Sequence, residues 1–315
     1  MTFRAKLALL TAAALAAILL FMFIGVGRNW EYVLERRAWK IAAMLLTGGC
    51  IALSTIIFQT ITNNRILTPN IIGMDATYML AQTAVVYLFG SASRLLVDNE
   101  INFVLTLVLM LLFTGLLYRL MFKREGRHLY HLILVGIVLG TLLGSVTTFM
   151  QVLIDPNEFL VLQGRMFATY NQVQGKLIFV GAIVAGLVML YFARYAKYLD
   201  VLSLGKEHAV NVGVDYPNVV KHLLIVIAVL VSVATALVGP MTFLGLLTAN
   251  VTYQLMRTYR HSLLIPASIL VSIIAMVGGQ MIVERVFGLT VTLSVVINLI
   301  GGVYFLYLLL KENKA

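Results

Sequence analysis

The sequence predicts an all-α, polytopic membrane protein of about ten transmembrane helices, and three observations carry that prediction. Of the 315 residues, 61% are hydrophobic and only 11% charged, against ~25% charged residues in soluble domains. Apolar runs near the ~20 residues needed to cross a bilayer recur along the whole chain. The polar residues gather in short stretches between them, which leaves no room for a separate soluble domain. Residues 1–315 therefore read as one transmembrane domain.

The first run, in MTFRAKLALLTAAALAAILLFMF, follows Arg4 and Lys6. It is too long for a signal-peptide core and reads as an uncleaved span that starts in the cytoplasm. Further spans are expected over 41–61, 70–89, 101–122, 130–153, 177–195, 222–239, 244–256, 263–283 and 290–310. The eighth is short, and charge balance argues for keeping it. With ten spans both termini are cytoplasmic; Arg28, Arg36, Arg37, Lys40, Arg94, Arg165, Lys176 and Arg285 fall outside, and the other fifteen of the 23 Lys and Arg fall inside. That bias is the positive-inside pattern. Without the eighth span, Lys311 and Lys314 would move outside. The net charge of +10 thus reflects topology and not nucleic-acid binding.

Several chemistries are missing. One cysteine, Cys50, excludes an internal disulfide or a cysteine-rich metal site. The five histidines all fall on the expected inner side, scattered in loops and interfaces, so no metal site or cofactor is expected. There is no phosphate-binding loop; Gln174-Gly175-Lys176-Leu177 lacks the first glycine and the hydroxyl. Neither His-Glu-x-x-His nor a Gly-x-Ser-x-Gly elbow occurs. An enzyme is not expected.

Asp75, in IIGMDATYMLAQ, is the acid that lies clearly inside a span. Two readings stand: it satisfies free amides at the start of a short helix near the cytoplasm, or it marks an ion path. Gly136, Gly140 and Gly144 share one helix face, where a neighbouring backbone can approach. Gln59, Gln82, Gln151 and Asn298 either line a pathway or bond between helices. Gly239-Pro240 marks a tight outer turn before the short eighth helix, and a short broken helix commonly lines a cavity. Residues 29–40, NWEYVLERRAWK, read as an interfacial aromatic segment or as a basic docking patch. LGKEHAVNVGVDYPNVV, residues 204–220, is a longer polar connection on the inner side, with glycines at 205 and 213.

Taken together these stretches resemble the FecCD family, the permease subunits of ABC importers for ferric siderophores and vitamin B12. RRAWKIAAMLLTGGCIALSTIIFQTITNNRILTPNIIGMD is similar to the family's second-helix pattern, with Gln59, Asn64, Pro69 and Gly73 matching and Arg65 replacing a proline. LGKEHAVNVGVD, VGPMTFLGLLTANVTYQLM and the ending VVINLIGGVYFLYLLL resemble further segments. Ala249-Asn250 replaces Pro-His, and Leu289-Thr290-Val291 stands where the family has Glu-x-Pro.

The resemblance implies a type II ABC importer permease fold in the bacterial cytoplasmic membrane, moving a ferric siderophore. A vitamin B12 or haem permease is the alternative within the family, and an ion-coupled secondary transporter is the alternative outside it. Implied partners are ABC ATPase subunits, an extracytoplasmic siderophore-binding protein, membrane lipid and a second permease subunit, as a heterodimer or a homodimer. The resemblance assigns Leu204, Gly205, Lys206, Glu207, His208, Ala209, Val212, Gly213 and Val214 to ATPase coupling through two short helices. It assigns Arg37, Lys40 and Arg285 to binding-protein docking, and leaves Gln59, Gln82 and Asn298 as pathway candidates.

Overall fold

In the computed structural model, residues 2–25, 29–122, 129–171 and 173–312 are described. Arg28, Lys123, Arg124, Arg127, His128 and Lys314 lie outside them. Among the described residues every regular element is helical. Ten apolar helices occupy the expected spans: α1 (Phe3–Phe23), α2 (Trp30–Thr62), α3 (Met74–Phe89), α5 (Asn99–Phe122), α6 (Leu129–Leu153), α8 (Gly175–Ala193), α11 (Tyr216–Val238), α12 (Leu244–Met256), α13 (His261–Arg285) and α14 (Leu293–Glu312). Four short helices sit in the connections: α4 (Arg94–Val97), α7 (Pro156–Arg165), α9 (Leu199–Leu202) and α10 (Lys206–Asn211). Single 3-10 turns cover Pro69–Ile72 and Ala196–Tyr198.

Among the described residues seven helices are long and apolar enough to cross a membrane; α3, α12 and the apolar part of α14 are shorter. Burial sorts them. About four-fifths of the apolar window of α2 and nearly three-quarters of that of α11 are buried, against about a tenth in α1. α2 and α11 pack on each other at the centre, α13 and α12 close on α2, α1 covers α13, and α6 and α5 flank α3. Exposed Leu9, Leu15 and Leu19 on α1 and Leu142, Phe149 and Val152 on α6 suit a lipid-facing surface.

Two boundaries differ from expectation. The second span, expected over 41–61, starts at Trp30, so the segment read as interfacial or as a docking patch is the first part of α2, a helix of 33 residues and so about 50 Å long at 1.5 Å per residue. That exceeds the ~30 Å hydrocarbon core, so its aromatic and basic start projects beyond it. The third span is broken: the chain makes one 3-10 turn, reverses at Gly73 (φ 95°) and starts α3 at Met74. Only glycine adopts that φ without strain.

The break is set by close packing. A Cβ on Gly140 would lie 3.0 Å from Gly73 Cα, and one on Gly136 would lie 2.8 Å from Ile72 Cα. Gly144, the third glycine of the stripe, has nothing within 4 Å. The turn at 72–73 therefore sits about 10–17 Å along α6 from its first residue. Asp75 begins α3 as expected, yet well inside the bundle and not at its edge.

Candidate functional site

The polar connection folds into a compact unit. Ser203 Oγ donates to the Asp200 carbonyl and the Gly205 N–H to the Leu202 carbonyl, which closes the turn after α9. Gly205 turns the chain with φ 97° and ψ 163°. Helix α10 then ends in a two-bond cap: the Val214 N–H donates to the Ala209 carbonyl and the Gly213 N–H to the Val210 carbonyl, with Gly213 at φ 89°. This 6→1 and 5→2 pattern is the one glycine provides at a helix C-terminus. Asp215 next caps α11, accepting from the Asn218 N–H at 3.3 Å.

Ala209 is fully buried and anchors the unit, while Lys206, Glu207 and His208 are exposed. Leu204, Val210 and Val212 are also exposed, Val212 to 71%. Apolar and charged side chains thus stand together on the open side of this unit.

An unexpected triad joins this unit to the bundle. Asp200 Oδ1 accepts from the His261 backbone N–H at 2.8 Å and from His261 Nδ1 at 2.6 Å. His261 Nε2 bonds Thr60 Oγ1 at 2.8 Å. Partial burial pushes the Asp200 carboxyl up, but the His261 backbone and ring bonds and the nearby positive charge outweigh it and hold the carboxyl below its ordinary range. In the sequence His261 reads as a loop histidine; its contact with Asp200 spans 61 residues and leaves no local signal.

The expected docking cations behave differently from one another. Arg37 is buried, and its Nη1 donates to the Phe21, Met22 and Ile24 carbonyls at 2.9, 2.8 and 3.0 Å. These are the free carbonyls that every helix end leaves, so Arg37 closes the end of α1 and does not present its charge outward. Lys40 is paired with Glu284 at 2.6 Å, with both side chains largely covered. Arg285 is exposed and donates to the Ile24 carbonyl. Arg36, exposed over the Tyr32 ring, is the neighbouring outward cation.

The pathway candidates separate as well. Gln82 is buried and bonded to Asn102 and Thr106 of α5, so it ties helices together. Gln151 likewise reaches Thr83. Asn298 of α14 accepts from the Phe243 N–H at the entry to α12. Gln59 Nε2 donates to the Arg65 carbonyl at 2.7 Å, and Asn250 donates to that same carbonyl at 3.1 Å. Two departures from the family pattern, Arg65 and Asn250, thus meet on one carbonyl. The Arg65 guanidinium also lies over the Tyr253 ring, 4.7 Å from its centre.

The start of α3 also meets the turn before α12. Thr242, in the turn before α12, donates to Asp75 Oδ2 at 2.9 Å, and Asp75 Oδ1 is buried without a protein partner. Beside them Ser54, Thr55, Thr68, Asn70 and Thr235 line a cavity of about 10 Å³, the size of one water. At the far end of α11 from α10, a cavity of about 520 Å³ is lined by Tyr78, Asn102, Arg165, Asn171 and Thr292 among others. Irregular backbone and polar side chains at this depth persist where they line a water-accessible space.

The chain is thus a multi-pass helical bundle with an interrupted third span, an internal polar cluster and a short polar unit at one end. The chain belongs to the FecCD transport family, whose model matches residues 4–311. It is 56% identical over 98% of both chains to the petrobactin import system permease protein YclO of Bacillus subtilis. It is 35% identical to the petrobactin import permease FatC of Bacillus anthracis, over 89% of this chain and 79% of that one. A second petrobactin permease from each organism, YclN and FatD, matches at 25%. The fold is similar to that of a chain from a metal-chelate type ABC transporter solved in an inward-facing conformation, with TM-score 0.83, 20% identity, and 98% of this chain and 100% of that chain covered.

Proposed function

We propose that this chain is the permease subunit of an ABC importer that moves a ferric siderophore of the petrobactin type across the cytoplasmic membrane. The observation that carries this reading is 56% identity, over nearly full length, to a petrobactin import permease; petrobactin is a siderophore. Each of the two organisms has a second, less similar petrobactin permease, which supports a heterodimer of two different permeases. Residues 204–214 are the surface on which a separate ATPase docks, and both termini lie on that cytoplasmic side. The opposite face, with Arg36 and Arg285 outward, receives the binding protein. The chelate passes beside the break at Gly73 and the entry to α12. No covalent chemistry occurs in this chain; ATP is hydrolysed in the partner.

The test is uptake in proteoliposomes holding this chain, its partner permease and the ATPase, with iron-loaded petrobactin supplied on its binding protein. The expected result is uptake that requires ATP. Uptake that survives ATP depletion and stops when the proton gradient collapses would overturn the reading in favour of an ion-coupled carrier.

A further inference from the structure

We infer that Asp200, His261 and Thr60 form the linkage that carries movement of the ATPase-docking unit into α13 and α2; this rests on the reading of residues 204–214 as that dock. The three groups come from α9, the first residue of α13 and the last turns of α2. They make a continuous path from surface to core: the Asp200 side chain is 47% exposed and the His261 side chain 6%, and Thr60 is buried.

The bonds are directional. A carboxylate only accepts, so both the His261 backbone N–H and His261 Nδ1–H donate to Asp200 Oδ1. Short bonds to a charged acceptor hold geometry better than apolar contacts, which slide. Arg260, at the N-cap position of α13, makes no side-chain cap bond; Asp200 supplies that cap from another element. His261 Nε2 then pairs with Thr60 Oγ1, whose single proton goes either to Nε2 or to the Ile56 carbonyl one turn back along α2.

Asp200 lies in α9, which packs on α10 and leads into it through the hydrogen-bonded turn at Ser203 and Gly205. A displacement of α10 therefore pulls on the first amide of α13 and on α2 at once. Helix α13 packs on α12 and α14, which meet at Phe243 and Asn298 beside the break. The linkage thus connects the dock to the helices that border the proposed path. Asp200, His261 and Thr60 are positioning residues; none of them touches substrate.

The test uses the reconstituted complex of this chain, its partner permease and the ATPase, with uptake and ATP hydrolysis measured together. D200A and T60V should lower uptake per ATP hydrolysed by about fivefold or more, the size of a typical coupling free energy, while hydrolysis continues. T60S, which keeps the hydroxyl, should restore the ratio. D200N, which keeps an acceptor for the backbone N–H but loses the charge, should fall between. A merely structural cap would make uptake and hydrolysis fall together with the amount of folded complex, and that result would overturn the inference, as would an unchanged ratio. Hydrogen exchange on the chain alone supplies a readout independent of transport: D200A should speed exchange of the amides of residues 261–264, and unchanged exchange would overturn the linkage. A wild-type complex whose uptake ignores ATP would overturn the docking reading instead, and the exchange experiment would still decide whether the linkage exists.

Discussion

Replacing Gly136 with alanine should destabilise the bundle, whereas the same change at Gly144 should not. Both glycines lie on α6, eight residues apart on one face. A Cβ on Gly136 meets Ile72 Cα at 2.8 Å and the Ile72 carbonyl oxygen at 3.0 Å, whereas one on Gly144 meets nothing within 4 Å. The atoms it meets at 72 include backbone, so no side-chain rotation relieves the contact. Gly to Ala inside a helix contributes up to ~1 kcal/mol of favourable propensity, and that contribution is common to both variants. Their difference therefore isolates the overpacking, about 1–3 kcal/mol. Thermal unfolding of the purified chain in detergent reads it: G144A should unfold at or slightly above the wild-type temperature and G136A several degrees below G144A. Equal midpoints would refute the close approach of α6 to the 72–73 turn, and with it the placement of the broken third helix.

Three further outcomes are expected. Gly205 and Gly213 both hold positive φ, so G205V or G213V should strain the 204–214 unit by roughly 1–3 kcal/mol; uptake should fall while membrane insertion, read by fractionation, is unchanged. R37A leaves three carbonyls at the end of α1 without their charged donor and should lower stability by about 1.5–3 kcal/mol, seen as a lower unfolding midpoint whether or not the binding protein is present. The Asp200 carboxyl is held below its unfolded value, so its stabilisation is fully present above the ordinary carboxylate range near pH ~4 and is lost as pH falls through the lowered folded value; wild-type unfolding midpoints should drop in that acidic window more steeply than those of D200N.

Much of the architecture is legible in the chain because a bilayer imposes a one-dimensional rule. Apolar length sets the spans, and basic residues between them set the expected orientation, which is why even α12, a helix of 13 residues, is located by charge balance. The glycines at 205 and 213 mark the turns of the 204–214 unit, because positive φ excludes most side chains. Other features have no local signature. Arg37 reads as a surface cation until α1 ends beside it, and its three acceptors are backbone atoms that any sequence would provide. Gln82 could line a pathway or tie helices, and only the position of Asn102 and Thr106 chooses between them.

The sequence by itself thus determined the membrane class, the ten apolar helices and the polar unit at 204–214, since each follows from composition or from a backbone requirement within a few residues. The tertiary structure alone decided the depth of Asp75, the commitment of Arg37 and Lys40 to internal partners, and the joining of Asp200, His261 and Thr60. Those depend on which helix faces meet, and short-range electrostatic and hydrogen-bonding partners are set by distances of about 3 Å between residues far apart along the chain.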